Sequence, residues 1–238
     1  MSTRFEELGW QQTPMGEISL RRRFEPTART DIYEVKLGDE YLMSSLFTAA
    51  ERELSRLGLA RTPGADLDVV VGGLGLGYTA REALLDNRVR TLTVIEYTDA
   101  VIDWHRRDLL PDTVGLAADS RVELVCADFF AAAAGTTGFD PQHPGRTYDA
   151  VLLDIDHSPR HVLHHPHTAF YTEAGLRAFA EHIAPGGTFA LWSDDAPDDE
   201  FLSVLGAVFT DVEAEEVFFD NPLTRSRSTN TVYLATRH

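Results

Sequence analysis

The run Asp68-Val69-Val70-Val71-Gly72-Gly73-Leu74-Gly75-Leu76-Gly77-Tyr78 decides the fold. Val69 to Val71 are apolar without alternation, as a parallel strand covered on both faces requires, and they lead straight into glycines. Lacking Cβ, Gly73, Gly75 and Gly77 can take positive φ and let the backbone approach a ligand, while a helix starting near Tyr78 offers free N–H groups. Strand, glycine turn and helix open a doubly wound α/β sheet, in which ligands bind outside the carboxyl ends of the strands where strand order switches. The same glycines would also serve a tight turn with no ligand, so other residues must decide.

Downstream, apolar runs alternate with helical patterns. Strands are predicted at Asp68 to Val71, Thr91 to Ile95, Val122 to Val125, Ala150 to Leu153 and Thr188 to Trp192, with helices at Asp99 to Leu109, at Thr172 to Ile183 ending at Pro185-Gly186-Gly187, and from Asp198. Val212 to Phe219 and Thr231 to Ala235 add an antiparallel pair at the edge, completing a mostly parallel seven-stranded sheet. Ala131 to Arg146 lacks periodicity and reads as a helix end plus a surface loop. Upstream, Gly16 to Leu20 and Asp31 to Val35 alternate as strands around a Gly38-Asp39 turn, and Thr48 with Glu51 forms a capping-box pattern before a helix. Residues 1–62 are thus expected to form a small antiparallel β appendage plus one helix, and 63–238 the nucleotide-binding α/β domain.

The 238 residues, 43% apolar, can bury a full core. A formal charge of −17 disfavours nucleic acid and suits a cationic small molecule. With no secretory leader near Met1 and no membrane-length apolar run, a cytoplasmic protein acting without a membrane is expected. The single cysteine, Cys126, excludes an internal disulfide and is expected at a buried strand position.

Glu96 ends the second strand of the sheet, where an acidic residue about 20 positions past the glycines can accept from two ribose hydroxyls; a solvated carboxylate is the plain alternative. Asp128 follows the third strand, placed either for an adenine amino group or as a helix N-cap. Dinucleotide enzymes space their glycines as G-x-G-x-x-G, and Gly77 falls one place early for that.

Val71-Gly72-Gly73, Val94-Ile95-Glu96, Asp119-Ser120-Arg121-Val122 leading to Ala127-Asp128, Tyr148 to Asp154, Phe170-Tyr171 and Pro185-Gly186-Gly187 together resemble the spermidine synthase family of polyamine aminopropyltransferases, over about Gly16 to Arg237. The resemblance implies a Rossmann-like class I methyltransferase fold behind a small N-terminal β-domain, a homo-oligomer, and S-adenosylmethionine or its decarboxylated form as co-substrate. It implies Glu96 on the ribose, Asp128 on adenine, and Asp154 as the base that takes a proton from the attacking amine, with Asp156 and His157 beside it. Two positions depart from the family. Its glycine loop carries an acid that holds the donor's amine where Gly75 stands here, and its D-S-S-D-P segment reads Asp154-Ile155-Asp156-His157-Ser158-Pro159.

His157, His161, His164, His165 and His167 crowd one loop, read as a polar lid in preference to a zinc site because no thiols and no helical ligand spacing accompany them. Asp154, Asp194 and Asp195 also resemble the metal ligands of catechol-type O-methyltransferases, although an asparagine is usual at Asp195. No metal is expected. The expectation is an aminopropyltransferase acting on a small-molecule amine, with a methyltransferase second and a nucleoside-binding protein without catalysis third.

Overall fold

A computed structural model describes residues 5–238. Two sheets are present. Strands β1 (Phe5–Thr13), β2 (Gly16–Glu25), β3 (Thr30–Leu37) and β4 (Glu40–Ser44) form an antiparallel meander. The second sheet contains β5 (Leu67–Gly72), β6 (Val89–Glu96), β7 (Val122–Cys126), β8 (Tyr148–Leu153), β9 (Ile183–Ser193), β10 (Thr210–Asn221) and β11 (Ser226–Thr236), in the order β10-β11-β9-β8-β5-β6-β7. β5 to β9 pair in parallel and β10 and β11 antiparallel, so the expected seven-stranded, mostly parallel sheet is present. The chain leaves β5 toward β6 on one side and returns to β8 on the other, which puts the switch point at the end of β5.

The unbroken apolar run of β5 feeds two cores. Val69 and Val71 pack with Leu92, Val94, Leu152 and Ala190 on one face, and Val70 packs with Ile95, Val151 and Leu153 on the other. Helices α1 (Ala49–Arg61), α2 (Tyr78–Ala83) and α3 (Asp99–Arg106) cover the first face. Helices α4 (Phe129–Ala134), α5 (Glu173–Ala180) and α6 (Asp199–Gly206) cover the second over a cluster of phenylalanines, in which Phe179 and Phe189 lie 4.8 Å apart. α1 lies on the main sheet: a Cβ at Gly58 would meet Leu152 Cδ2 at 2.6 Å, so glycine lets the helix close onto β8.

Several local expectations are corrected. The meander has four strands where two were predicted, because β1 and β4 are largely polar or exposed and owe their form to pairing with β2 and β3. Thr48 makes no capping hydrogen bond, and the Glu51 side chain turns toward the sheet's carboxyl edge. α3 ends early, at Arg106, and Asp108 just beyond it takes φ +52. α5 ends at Ala180, and Pro185-Gly186-Gly187 lies inside β9, where the pairing with β8 shifts register and Gly186 N–H bonds the Arg237 carbonyl. Cys126 is exposed, since β7 is the edge strand.

The N-terminal sheet closes over the end of β5. Gln11 Nε2 donates to Asp99 Oδ1 at 2.7 Å, Gly9 seats against the Trp104 indole, and Met43 of β4 reaches the glycine loop at Gly75. A roof is thereby laid across the switch point.

Candidate active site

The ends of β5, β6 and β8 are stitched together at the switch point. Gly73 N–H donates to the Ile95 carbonyl at 2.9 Å, and Asp154 N–H donates to the Gly72 carbonyl at 2.8 Å. Gly73 takes φ +91, and a Cβ there would collide with the Asp154 carbonyl oxygen, so this close approach requires glycine. Gly77, at φ +85, occupies the N-cap of α2. The loop is also held from beneath: buried His105 donates from Nε2 to the Gly75 carbonyl at 2.9 Å. Burial pushes the imidazole pKa down, which keeps His105 neutral at pH 7.

Two cavities meet above this edge. The smaller, about 190 Å³, is lined by Gly73, Gly75, Glu96, Asp128, Phe130 and Asp154 among others. The larger, about 620 Å³, is lined by Tyr41, Glu51, Asp154, His157, Trp192 and Asp194 among others. Asp154 borders both.

In the smaller cavity, Glu96 accepts from Leu74 N at 3.0 Å through Oε2 and from Thr98 N at 2.8 Å through Oε1. Burial raises its pKa while these N–H groups pull it back. The bonds fix the carboxylate at the cavity wall with lone pairs to spare. Asp128 is the N-cap of α4, its Oδ1 accepting from Phe130 N at 2.9 Å and Ala131 N at 3.1 Å. The capping alternative is therefore realised, yet Oδ2 has no partner among the described residues and the side chain borders the cavity.

Asp154 accepts from Thr79 Oγ1 at 2.6 Å through Oδ2. Burial raises its pKa to about 6. Glu51, on the first turn of α1, faces it across the larger cavity; burial, and then the charge of Asp154, lift Glu51 to about 8. At neutral pH the pair thus shares about one proton, because two carboxylates this close resist ionising together.

Asp156 is placed differently from the sequence-based expectation. It is 1% exposed and borders neither cavity; Oδ1 accepts from Leu163 N at 2.8 Å and His167 Nδ1 at 2.9 Å, and Oδ2 from Tyr171 Oη at 2.9 Å. With its oxygens so engaged, it organises the histidine loop from below. His157 borders the larger cavity, with Nε2 3.2 Å from Glu40 Oε1. Of the acidic pair after β9, Asp194 accepts from Asn230 Nδ2 at 2.7 Å and borders the larger cavity, whereas bonds from Ser158 and His161 hold the half-buried Asp195 carboxyl below its usual range. Among the described residues no three His, Cys, Asp or Glu side chains converge as a metal site. Sequence reasoning passed over Glu51, Thr79 and His105, because each reaches the site through packing between segments distant in the chain.

No protein-family profile and no curated protein sequence matches the chain. Its fold is matched by solved structures of spermidine synthases, one from Thermotoga maritima and one in complex with the transition state analogue AdoDATO. Each superposes with a TM-score of 0.71 at 17% identity, covering 98% of this chain and 72% of the other. The chain has the spermidine synthase fold.

Proposed function

We propose that the protein is a transferase that takes decarboxylated S-adenosylmethionine into the smaller cavity and passes its aminopropyl group to a small-molecule amine in the larger one. The observation that carries this reading is the position of Asp154, whose carboxylate borders both the cavity that holds Glu96 and Asp128 and the cavity that holds Glu51 and Asp194. Glu96 and Asp128 would receive the ribose hydroxyls and the base amino group. The acceptor nitrogen attacks the carbon beside the sulfonium, the carbon–sulfur bond electrons return to sulfur, and neutral methylthioadenosine leaves. The nitrogen, now positive, gives its proton to Asp154. A positioned base of this kind supplies about 10²–10⁴ in rate, and holding both reactants in adjoining cavities supplies orientation. A homo-oligomer in the cytoplasm, binding neither nucleic acid nor membrane, completes the proposal; no helix among the described residues is long and apolar enough to cross a membrane.

One observation favours methyl transfer from S-adenosylmethionine as a second reading. The glycine loop has no carboxylate at Gly75 to hold the amine of a decarboxylated donor, and Met43 lies against that position. Purified protein incubated with each donor and a panel of amines separates the two. Methylthioadenosine release from the decarboxylated donor supports the first, S-adenosylhomocysteine release supports the second, and binding of neither donor rejects both.

A further inference from the structure

We propose that His167 is a specificity residue of the smaller cavity, held by Asp156 so that its Nε2 lone pair accepts a hydrogen bond from the exocyclic amino group of a 6-aminopurine. The inference rests on the nucleoside reading of that cavity and deepens it by naming what selects the base.

His167 borders the smaller cavity together with Asp128 and Phe130. Its Nδ1 lies 2.9 Å from Oδ1 of the buried Asp156, so Nδ1–H donates to that carboxylate and Nε2 is the ring nitrogen that this bond leaves over. One ring face is covered: Phe130 stacks on it with centroids 3.9 Å apart and planes 26° from parallel. Nε2 has no hydrogen-bond partner among the described residues, and the side chain keeps 13% of its surface open. Two constraints, the bond to Asp156 and the stack on Phe130, therefore fix the imidazole at a cavity wall, and Asp156 is satisfied without it because Leu163 N–H and Tyr171 Oη also donate to that carboxylate.

A second acceptor on the lining of the same cavity is Asp128 Oδ2, likewise free among the described residues. Two acceptors lining one cavity match an amino group, which carries two N–H donors. A 6-oxopurine presents a carbonyl there instead and would face both lone pairs with none of its own protons. A site built to receive an N–H group rejects an analogue lacking it far more strongly than an apolar pocket can. His167 thus acts on the base, while Asp156 acts on His167 as a positioning residue.

The test is calorimetric titration of wild-type protein and of His167→Phe with 5′-methylthioadenosine and, separately, 5′-methylthioinosine. Phenylalanine keeps the stacked ring and removes only the nitrogens. Wild type should prefer the adenine compound by roughly 100-fold, and His167→Phe should lose about tenfold on that compound alone, narrowing the ratio. A merely structural role would weaken both compounds equally, and an unchanged ratio overturns the proposal. Should the variant fail to fold, nitrogen-15 spectra of the wild-type histidines decide: the His167 Nε2 resonance must be that of an unprotonated nitrogen and must move with methylthioadenosine but not methylthioinosine. Failure of both compounds to bind wild type would reject the nucleoside reading itself and the proposal with it.

Discussion

Thr79 Oγ1 donates to Asp154 Oδ2 at 2.6 Å, tying the first turn of α2 to the end of β8. The bond favours the ionised carboxylate and opposes the burial that lifts it to about 6. Thr79→Val retains the shape and removes the donor, so the Asp154 carboxyl should rise further. Turnover, which by the proposed mechanism needs the ionised form, should increase as pH rises through about 6 in the wild type. In the variant that limb should move up by roughly half to one pH unit. A pH–rate profile whose acidic limb stays in place would detach Asp154 from the rate.

Asp154→Asn removes the proton acceptor altogether while leaving Gly73, Glu96 and Asp128 in place. Turnover should fall by about 10²–10⁴, and nucleoside affinity should change by less than roughly threefold. Paired assays of kcat and of methylthioadenosine binding check this; retained turnover would require another base.

Glu51 makes stability depend on pH. Its folded-state value of about 8 stands above the 4.5 of an ordinary glutamate, so the folded protein holds a proton that the unfolded chain releases. The associated stability is complete below about pH 4.5 and is lost as pH rises through 8. Glu51→Gln keeps the volume and cannot ionise. It should be more stable than wild type by about 1–3 kcal/mol above pH 8, the difference shrinking toward acid. Denaturant melts across that range measure it, and parallel curves at every pH would show that Glu51 titrates normally.

The parts of this molecule legible in its sequence are those whose cause is local. Val69 to Val71 feed two cores at once, which forbids alternation and announces a parallel strand. Glu96 ends β6, Asp154 follows β8 and Asp128 stands two residues beyond β7, so a strand end fixed the place of each at the cavity edge. Asp156 was misread for the opposite reason: two residues beyond Asp154 the chain has turned inward, and only the packing of Leu163, His167 and Tyr171 over it reveals a buried anchor. β1 escaped notice because Phe5–Thr13 is polar and half of it is exposed; its strand form comes from partners such as Arg22, opposite Glu6. Glu51 looked like a cap because a capping box is a pattern of spacing, whereas its true setting depends on α1 lying on β8 and β9.

The buried anchor can be dissected. Tyr171→Phe removes one of three donors to Asp156, leaving the carboxylate bonded to Leu163 N and His167 Nδ1. It should cost about 1–2 kcal/mol in stability with turnover preserved within roughly threefold. Asp156→Ala orphans all three donors together, and about 3–5 kcal/mol is expected to be lost along with the order of the histidine loop. Comparable costs for the two variants in urea melts would contradict the network.

Two glycines of the same loop should answer differently to one added methyl group. At Gly73 the new Cβ runs into the Asp154 carbonyl oxygen, which is backbone and is itself fixed because Asp154 N–H bonds the Gly72 carbonyl. Neither side can yield without parting β5 from β8 at the point where the cavities meet. At Gly75 the new Cβ meets Met43 Sδ at 2.6 Å, the far end of an unbranched side chain that can swing aside. Both substitutions carry the strain of positive φ, about 1 kcal/mol. Gly73→Ala should therefore abolish nucleoside binding and lower stability by more than about 2 kcal/mol, whereas Gly75→Ala should cost about 1 kcal/mol and weaken binding only severalfold. Equal effects in calorimetry would mean that the carboxyl edge is not the rigid floor of the site, since a floor able to move would absorb the methyl group at Gly73 as readily as Met43 absorbs it at Gly75.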